Sequence, residues 1–309
     1  MRVIFMGTAP FACPTLNILI ASPHEVVAVV TQPDRPRGRG RRPAAPAVKS
    51  LAVEHCLTVL QPSSLRSSEA TKNLAAYRPD VIVVVAYGNI LPSAVLELPP
   101  YGCINLHGSL LPSYRGPAPI NWTLINGETE TGYTIIQMDE QVDTGPILWM
   151  ESCGIEEDDD AVTLGNRLAL IGAQGMASVL SGLETGSISP RPQPVQEASH
   201  APKLSRHLGR INWCQDAVVI HNLIRGIVPW PGAATIYQEM EVKVWRTQVY
   251  PSLTSEPPGT IVALTPEGLQ IACGKQQLLL RELQPANRRR ITAREFAHGY
   301  RVQAGDHFV

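Results

Sequence analysis

Two polar side chains interrupt an apolar stretch in Cys103-Ile-Asn105-Leu-His107, directly before the loop Gly108-Ser-Leu-Leu-Pro-Ser-Tyr-Arg-Gly-Pro-Ala-Pro119. If residues 103–106 form a strand, alternation puts the Asn105 amide and the His107 imidazole on one face at its end. A further polar cluster, Met138-Asp-Glu-Gln-Val-Asp-Thr-Gly145, follows another strand candidate and could supply a carboxylate to orient the imidazole. Imidazole, carboxylate and amide donor together make an acid–base and oxyanion kit for attack on a carbonyl. No Ser or Cys stands in a nucleophile-elbow pattern, which disfavours a covalent acyl-enzyme. His107 has no partner at zinc-ligand spacing, so the expectation is chemistry without a metal.

These residues need a scaffold, and residues 1–160 supply a pattern for one. Val3–Met6, Val26–Thr31, Val81–Ala86, Cys103–Leu106 and Thr134–Met138 read as strands, and Ala9–Ile20, Ala45–His55 and Glu69–Tyr77 as crossover helices. The continuous Val81–Val85 run is that of a strand buried on both faces. The pattern predicts a doubly wound, mostly parallel, Rossmann-like α/β sheet, whose ligands bind beyond the carboxyl ends of its strands. Ala161–Leu180 predicts a closing helix entered from the acidic run Glu156–Asp160. Pro190, Pro192, Pro194 and Pro202 then mark an extended connector. We therefore expect one domain over 1–188, a Pro-rich linker over 189–207 and a second domain over 208–309. In the latter, Gln215–Arg225 has helical spacing, and Thr235–Tyr237, Val242–Trp245, Thr260–Ala263, Leu269–Cys273 and Leu278–Leu283 read as the short strands of a small barrel.

With 309 residues, 44% hydrophobic and 17% charged, the chain can bury more than one core. The longest strictly apolar run, Val81–Ala86, is far short of the roughly 18 to 20 residues of a membrane helix. Gly7-Thr-Ala-Pro10 cuts short the apolar start Val3–Met6, which favours a buried strand over a signal peptide. The same turn lacks the G-x-G-x-x-G pattern, so no dinucleotide is inferred. Six isolated cysteines without C-x-x-C spacing fit reduced thiols in the cytoplasm. Nothing in the sequence demands more than a monomer. The net charge of −1 hides an asymmetry: Lys and Arg number 12 against 18 Asp and Glu over 1–188, a net −6, and 14 against 9 over 189–309, a net +5. Within the acidic part, 34–49 carries Arg35, Arg37, Arg39, Arg41, Arg42 and Lys49 against Asp34. Two basic features in one chain point to a polyanionic partner.

The run Asn105-x-His107, Ser109-Leu-Leu-Pro112, Tyr114-Arg-Gly-Pro-Ala-Pro119-Ile120 and Asp143-Thr-Gly145 closely resembles the folate-dependent formyltransferases. Gly7–Ala12 and Val81–Pro92 resemble that family's opening turn and its strand beside the folate. Trp213 and His221–Ala233 resemble the start of its C-terminal domain, so the likeness spans essentially the whole chain. Ala9-Pro10 departs from the family's more usual Pro and acidic pair. The resemblance implies transfer of the formyl group of 10-formyltetrahydrofolate to the α-amino group of methionyl initiator tRNA, with Asn105, His107 and Asp143 catalytic. It implies folate contacts at Ala86, Tyr87, Gly88, Asn89 and Ile90 and at Ser109, Leu110, Leu111 and Pro112. It also implies that the Arg35–Arg42 loop clasps the acceptor end of the tRNA. The barrel resembles an oligonucleotide-binding (OB) fold, with Lys203, Arg206, Arg210, Arg288, Arg289 and Arg290 as candidates for its backbone contacts.

Three rivals share part of this pattern. A 10-formyltetrahydrofolate hydrolase would keep the Asn-x-His and Asp constellation and transfer to water, but would not need the arginine loop. A sugar-amine formyltransferase would not need a basic second domain. A non-catalytic RNA-binding protein would keep the loop and barrel without a reason for Asn105, His107 and Asp143 to coexist.

Overall fold

Runs of Val and Ile become the central strands of a seven-stranded sheet in the computed structural model, which describes residues 1–37 and 42–309. In chain order the first part comprises β1 (Arg2–Gly7), α1 (Cys13–Ala21), β2 (Glu25–Val30), a hairpin of β3 (Arg35–Arg37) and β4 (Arg42–Ala44), α2 (Ala47–Glu54), β5 (Val59–Leu60), α3 (Ser68–Ala75), β6 (Val81–Val85), α4 (Ser93–Leu96) and β7 (Cys103–His107). It continues through α5 (Pro119–Ile125), β8 (Glu130–Gln137), β9 (Ile147–Gly154) and α6 (Ala161–Thr185). The chain divides into two units: 1–119, 130–154 and 165–201 form the first, and 120–129, 155–164 and 202–309 the second.

The first unit's sheet runs β5-β2-β1-β6-β7-β8-β9. The five strands from β5 to β7 are parallel, and β8 and β9 are antiparallel additions. This is the expected doubly wound sheet, with its order reversing between β1 and β6. Alternate residues feed two cores: Val3, Phe5, Val81 and Val83 on one face, Ile4, Met6, Ile82 and Val84 on the other. Burial on both faces is why these strands read as unbroken apolar runs. β8 starts earlier than the Thr134–Met138 expectation. Its extra residues pair with β9, an edge strand whose polar positions such as Glu151 and Ser152 hide it from hydropathy. Gly132 sits in that pairing because a Cβ there would collide with the Glu151 carbonyl and Leu110. The helix entry at the acidic run is as expected: Asp160 Oδ1 accepts the amides of Val162 and Thr163 at 2.8 and 2.9 Å.

Residues 189–201 of the stretch read as a connector belong to the first unit. Arg191 and Ile147 exchange backbone hydrogen bonds of 2.7 and 2.8 Å, and Ser199 and Ala201 bond the backbone of Arg115. Proline removes backbone donors, but the residues between the prolines keep theirs and use them here.

The second unit carries α7 (Ala217–Gly226), β10 (Ala233–Tyr237), β11 (Met240–Tyr250), β12 (Ile261–Thr265), β13 (Gly268–Ala272), β14 (Gln277–Pro285), β15 (Ile291–Thr292) and α8 (Ala293–Tyr300). Its antiparallel sheet has the order β10-β11-β14-β13-β12, with β15 on β14. Two register shifts around Arg246 bend the long β11. Residues 306–309 join both edges: Val309 and Ile236 exchange hydrogen bonds on β10, while the Asp306 carbonyl accepts from Ile261 of β12. Closure of that kind is consistent with the expected small barrel. Helix α8 was not among the expected elements, although Thr292 and Glu295 form a complete capping box at its start. Among the described residues no helix is long and apolar enough to cross a membrane.

Candidate active site

β7 ends at His107 and pairs with β8, setting Asn105 opposite Ile136 and His107 opposite Thr134. His107 is 5% exposed. Its Nε2 lies 3.0 Å from the Tyr114 carbonyl oxygen. A carbonyl can only accept, so Nε2 carries the hydrogen in this arrangement. Nδ1 then faces Asp143 Oδ2 at 3.6 Å, within ion-pair range but too long for a hydrogen bond. The Tyr114 carbonyl therefore sets the tautomer, and Asp143 is not the partner that does so. Asp143 Oδ2 also accepts the Gly116 amide at 2.9 Å. Asp143 itself has φ 55, a left-handed conformation that a non-glycine residue keeps only when its surroundings hold it. Asn105 is half-buried, and its side-chain amide makes no hydrogen bond among the described residues. The three expected catalytic residues thus lie at one end of the sheet, with the amide uncommitted. The neighbouring Cys103 thiol, buried and pushed up to about 12 by that burial, stays protonated and offers no nucleophile.

The loop after β7 is held from below. Thr134 Oγ1 donates to the Ser109 carbonyl at 2.7 Å and accepts the Leu111 amide at 3.0 Å, and the Ser109 hydroxyl closes back on the Ser113 carbonyl at 2.7 Å. Ser109, Leu111 and Pro112 are buried and Leu110 is half-buried. Ser109 therefore serves the loop's own geometry. Gly116, at φ 119, could not carry a Cβ, which would meet the Ala201 carbonyl oxygen at 2.7 Å.

After β6 the chain turns through Ala86 (φ 45) and Gly88 (φ 84). Tyr87 is buried in the core with Leu91 and Val95, and burial pushes its phenol up. Its carbonyl accepts from Thr8 Oγ1 at 2.9 Å and Gln32 Nε2 at 3.0 Å, tying together the loops after β1, β2 and β6. Ala86, Gly88, Asn89 and Ile90 face solvent, Ile90 being 67% exposed. Ser93 Oγ donates to Glu140 at 2.6 Å, fastening this segment to the loop that carries Asp143 and the exposed Val142. Ile90 and Val142 thus stand exposed on segments fastened to each other, an apolar surface of the kind that a flat heteroaromatic ring such as a pterin can cover. Among the described residues no group of three or more His, Cys, Asp or Glu could hold a metal ion.

The basic candidates fall into separate sets. Arg35 is exposed on the β3–β4 hairpin, where Arg37 pairs with Arg42; Arg39 and Arg41 lie outside the described residues. Lys49 is not part of a free basic face. Its Nζ contacts Asp34 at 2.8 and 2.9 Å, and Gln61 donates to the same carboxylate, anchoring the hairpin's base and lowering the Asp34 pKa. In the second unit Lys203, Arg206 and Arg210 are exposed, as are Arg288, Arg289 and Arg290. Arg289 and Arg290 approach Glu295 and Glu282 at 4.0 and 3.7 Å, and Arg290 stacks 3.9 Å over the Trp245 ring. Lys243 stands 5.9 Å from that ring. Sequence reasoning missed this aromatic–cation platform, as it missed Thr134, Tyr114 and Gln193 at the catalytic end.

A doubly wound sheet whose strand order reverses between β1 and β6, with Asn105, His107 and Asp143 brought together after β7, fits a formyltransferase. The formyl transferase family model matches residues 1–180 and the model of the formyl transferase C-terminal domain matches residues 203–301, so the chain belongs to the formyl transferase family. It is 45% identical over 304 residues to the methionyl-tRNA formyltransferase of Trichlorobacter lovleyi, covering 98% of this chain and 96% of the relative. It is 44% identical over 307 residues to that of Acetivibrio thermocellus, covering 99% of both. At the level of fold it is similar to an N-formyltransferase from Helicobacter canadensis in complex with folinic acid and dTDP-3-aminofucose, with TM-score 0.68, 16% identity, and 91% of this chain and 98% of that one covered. HypX from Aquifex aeolicus in complex with tetrahydrofolic acid superposes with TM-score 0.66 at 16% identity, over 99% of this chain and 48% of that one.

Proposed function

We propose that this protein transfers the formyl group of 10-formyltetrahydrofolate to the α-amino group of methionyl initiator tRNA, as a cytoplasmic monomer serving translation initiation. The observation that carries the reading is the convergence of an uncommitted Asn105 amide, a hydrogen-bonded His107 and the Asp143 carboxylate at the carboxyl end of β7. Full-length relatives of that name support the RNA substrate over the sugar-amine alternative. Six free cysteines suit a reducing compartment.

When bound, 10-formyltetrahydrofolate supplies a formyl carbon activated by its attachment through N10. Ile90 and Leu110 offer apolar surface to its ring, and the backbone of residues 86–90 offers polar groups beside it. Asn105 donates to the formyl oxygen as negative charge develops there, a contribution worth about 10²- to 10³-fold in rate for one such donor. Because Tyr114 holds the hydrogen on Nε2, Nδ1 of His107 is the nitrogen left to take the proton from the attacking amine, and that proton is the one N10 needs as the formyl carbon–N10 bond breaks and tetrahydrofolate leaves. Asp143 places its charge 3.6 Å from the point where that proton arrives. Phosphates would be met by the exposed Arg35 on the hairpin and by the basic side chains at 203–210 and 288–290.

The test is formyl transfer from 10-formyltetrahydrofolate to methionyl initiator tRNA, run beside elongator methionyl-tRNA, uncharged tRNA and no RNA. Transfer confined to the charged initiator is the expected result. Release of tetrahydrofolate at an equal rate without RNA would make the protein a hydrolase instead.

A further inference from the structure

Resting on the reading of Asp143 given above, we propose that Gln193 is a positioning residue for formyl transfer: its side-chain amide fixes the Asp143 backbone against the loop that orients His107. Gln193 is 8% exposed and makes four hydrogen bonds. Its Nε2 donates to the carbonyls of Asp143 and Gly145 at 3.0 and 2.7 Å. Its Oε1 accepts from Nε and Nη2 of the buried Arg115 at 3.1 and 2.7 Å. Arg115 stands between the two residues that touch the catalytic pair: Tyr114, whose carbonyl meets His107, and Gly116, whose amide meets Asp143. The contacts close a ring from His107 through Tyr114, Arg115, Gln193 and Asp143 back to His107.

The ring accounts for two features of the site. Asp143 keeps a left-handed backbone, and its own carbonyl is one of the two that Gln193 holds. Arg115 is a buried cation, which needs hydrogen-bond partners, and its guanidinium fork finds them in the Gln193 oxygen. An amide is the side chain suited to this place, since it must donate on one side and accept on the other. The segment that presents it is also fixed: Tyr114 donates its amide to Ser199 Oγ at 2.8 Å, Arg115 donates its own to the Ser199 carbonyl at 2.9 Å, and Ala201 donates to the Arg115 carbonyl at 2.7 Å.

Gln193→Met keeps the side chain's length and removes all four bonds. Gln193→Glu keeps an acceptor for Arg115 but turns oxygen toward the two carbonyls. Both are expected to lower kcat about 10- to 100-fold, the scale of a misplaced catalytic group, with the KM values for folate and RNA changed less than about threefold. In an Asp143→Asn background the added Gln193→Met change is expected to lower kcat by less than about twofold, because the group being positioned is already lost. Thermal unfolding identifies folded variants, and Glu preserves the Arg115 partner should Met not fold. Wild-type kcat in either variant beside an impaired Asp143→Asn would overturn the proposal alone, as would an equal loss in both backgrounds or a loss confined to KM. Full activity of Asp143→Asn would overturn the reading of Asp143, and the proposal with it.

Discussion

At the scale of residues, each side chain proposed as catalytic is asked to do something separable from RNA binding. Removing the His107 base should cost about 10²- to 10⁴-fold in kcat, and Asn105→Ala about 10²- to 10³-fold. The dissociation constant for initiator tRNA should stay within about twofold in both, measured by filter binding. Equal loss of turnover and affinity would contradict the separation of roles. Asn105 and His107 were legible because two polar side chains alternate at the end of an apolar strand before a Pro/Gly-rich loop, whereas Asp143 was picked out of its polar cluster by the family resemblance. Gln193 was not, since its role exists only through Arg115, 78 positions earlier, and Asp143, 50 positions earlier. The Tyr114 contact was hidden for another reason: it uses a backbone carbonyl, which any residue type could supply.

At the scale of elements, the basic hairpin shows how a composition count misleads. Lys49 was counted with the arginines, yet its ammonium is committed to Asp34 at the hairpin's base. Two substitutions should therefore behave differently. Arg35→Ala, if that exposed side chain meets a phosphate, should reduce the slope of log affinity against log salt by somewhat under about one unit. Lys49→Met should weaken RNA binding by loosening the hairpin while leaving the slope unchanged. A slope that falls equally in both would mean that Lys49 is itself a phosphate contact. The capping box of α8 is a further element-scale case. Thr292-Ala-Arg-Glu295 was readable as a helix start, but the arginines just before it drew attention to charge rather than to periodicity. Thr292→Ala should destabilise the second unit by about 1 kcal/mol, the usual worth of an N-cap, seen as a lower thermal midpoint.

At the scale of the whole molecule, the response to acid turns on a histidine that the second unit folds in its neutral form. His221 on α7 bonds Thr247 through Nδ1 at 2.9 Å, and burial, with the Arg225 charge added, holds its pKa down to about 4 against 6.5 outside a fold. The folded form thus resists a proton that the unfolded chain accepts. The stability tied to neutral His221 is complete above pH 6.5, erodes as pH falls from 6.5 toward 4, and has no further to fall below that. A gap of this size corresponds to on the order of 3 kcal/mol over that window. His221→Asn keeps an atom near the Nδ1 position for Thr247 and removes the titration. Four of the five tryptophans, at 122, 213, 230 and 245, lie in the second unit, so tryptophan fluorescence follows its unfolding. Between pH 7 and 4.5 the thermal midpoint of the native protein should fall more steeply than that of the Asn variant. Parallel curves would mean that some other group, and not the buried His221, sets the acid sensitivity of this unit.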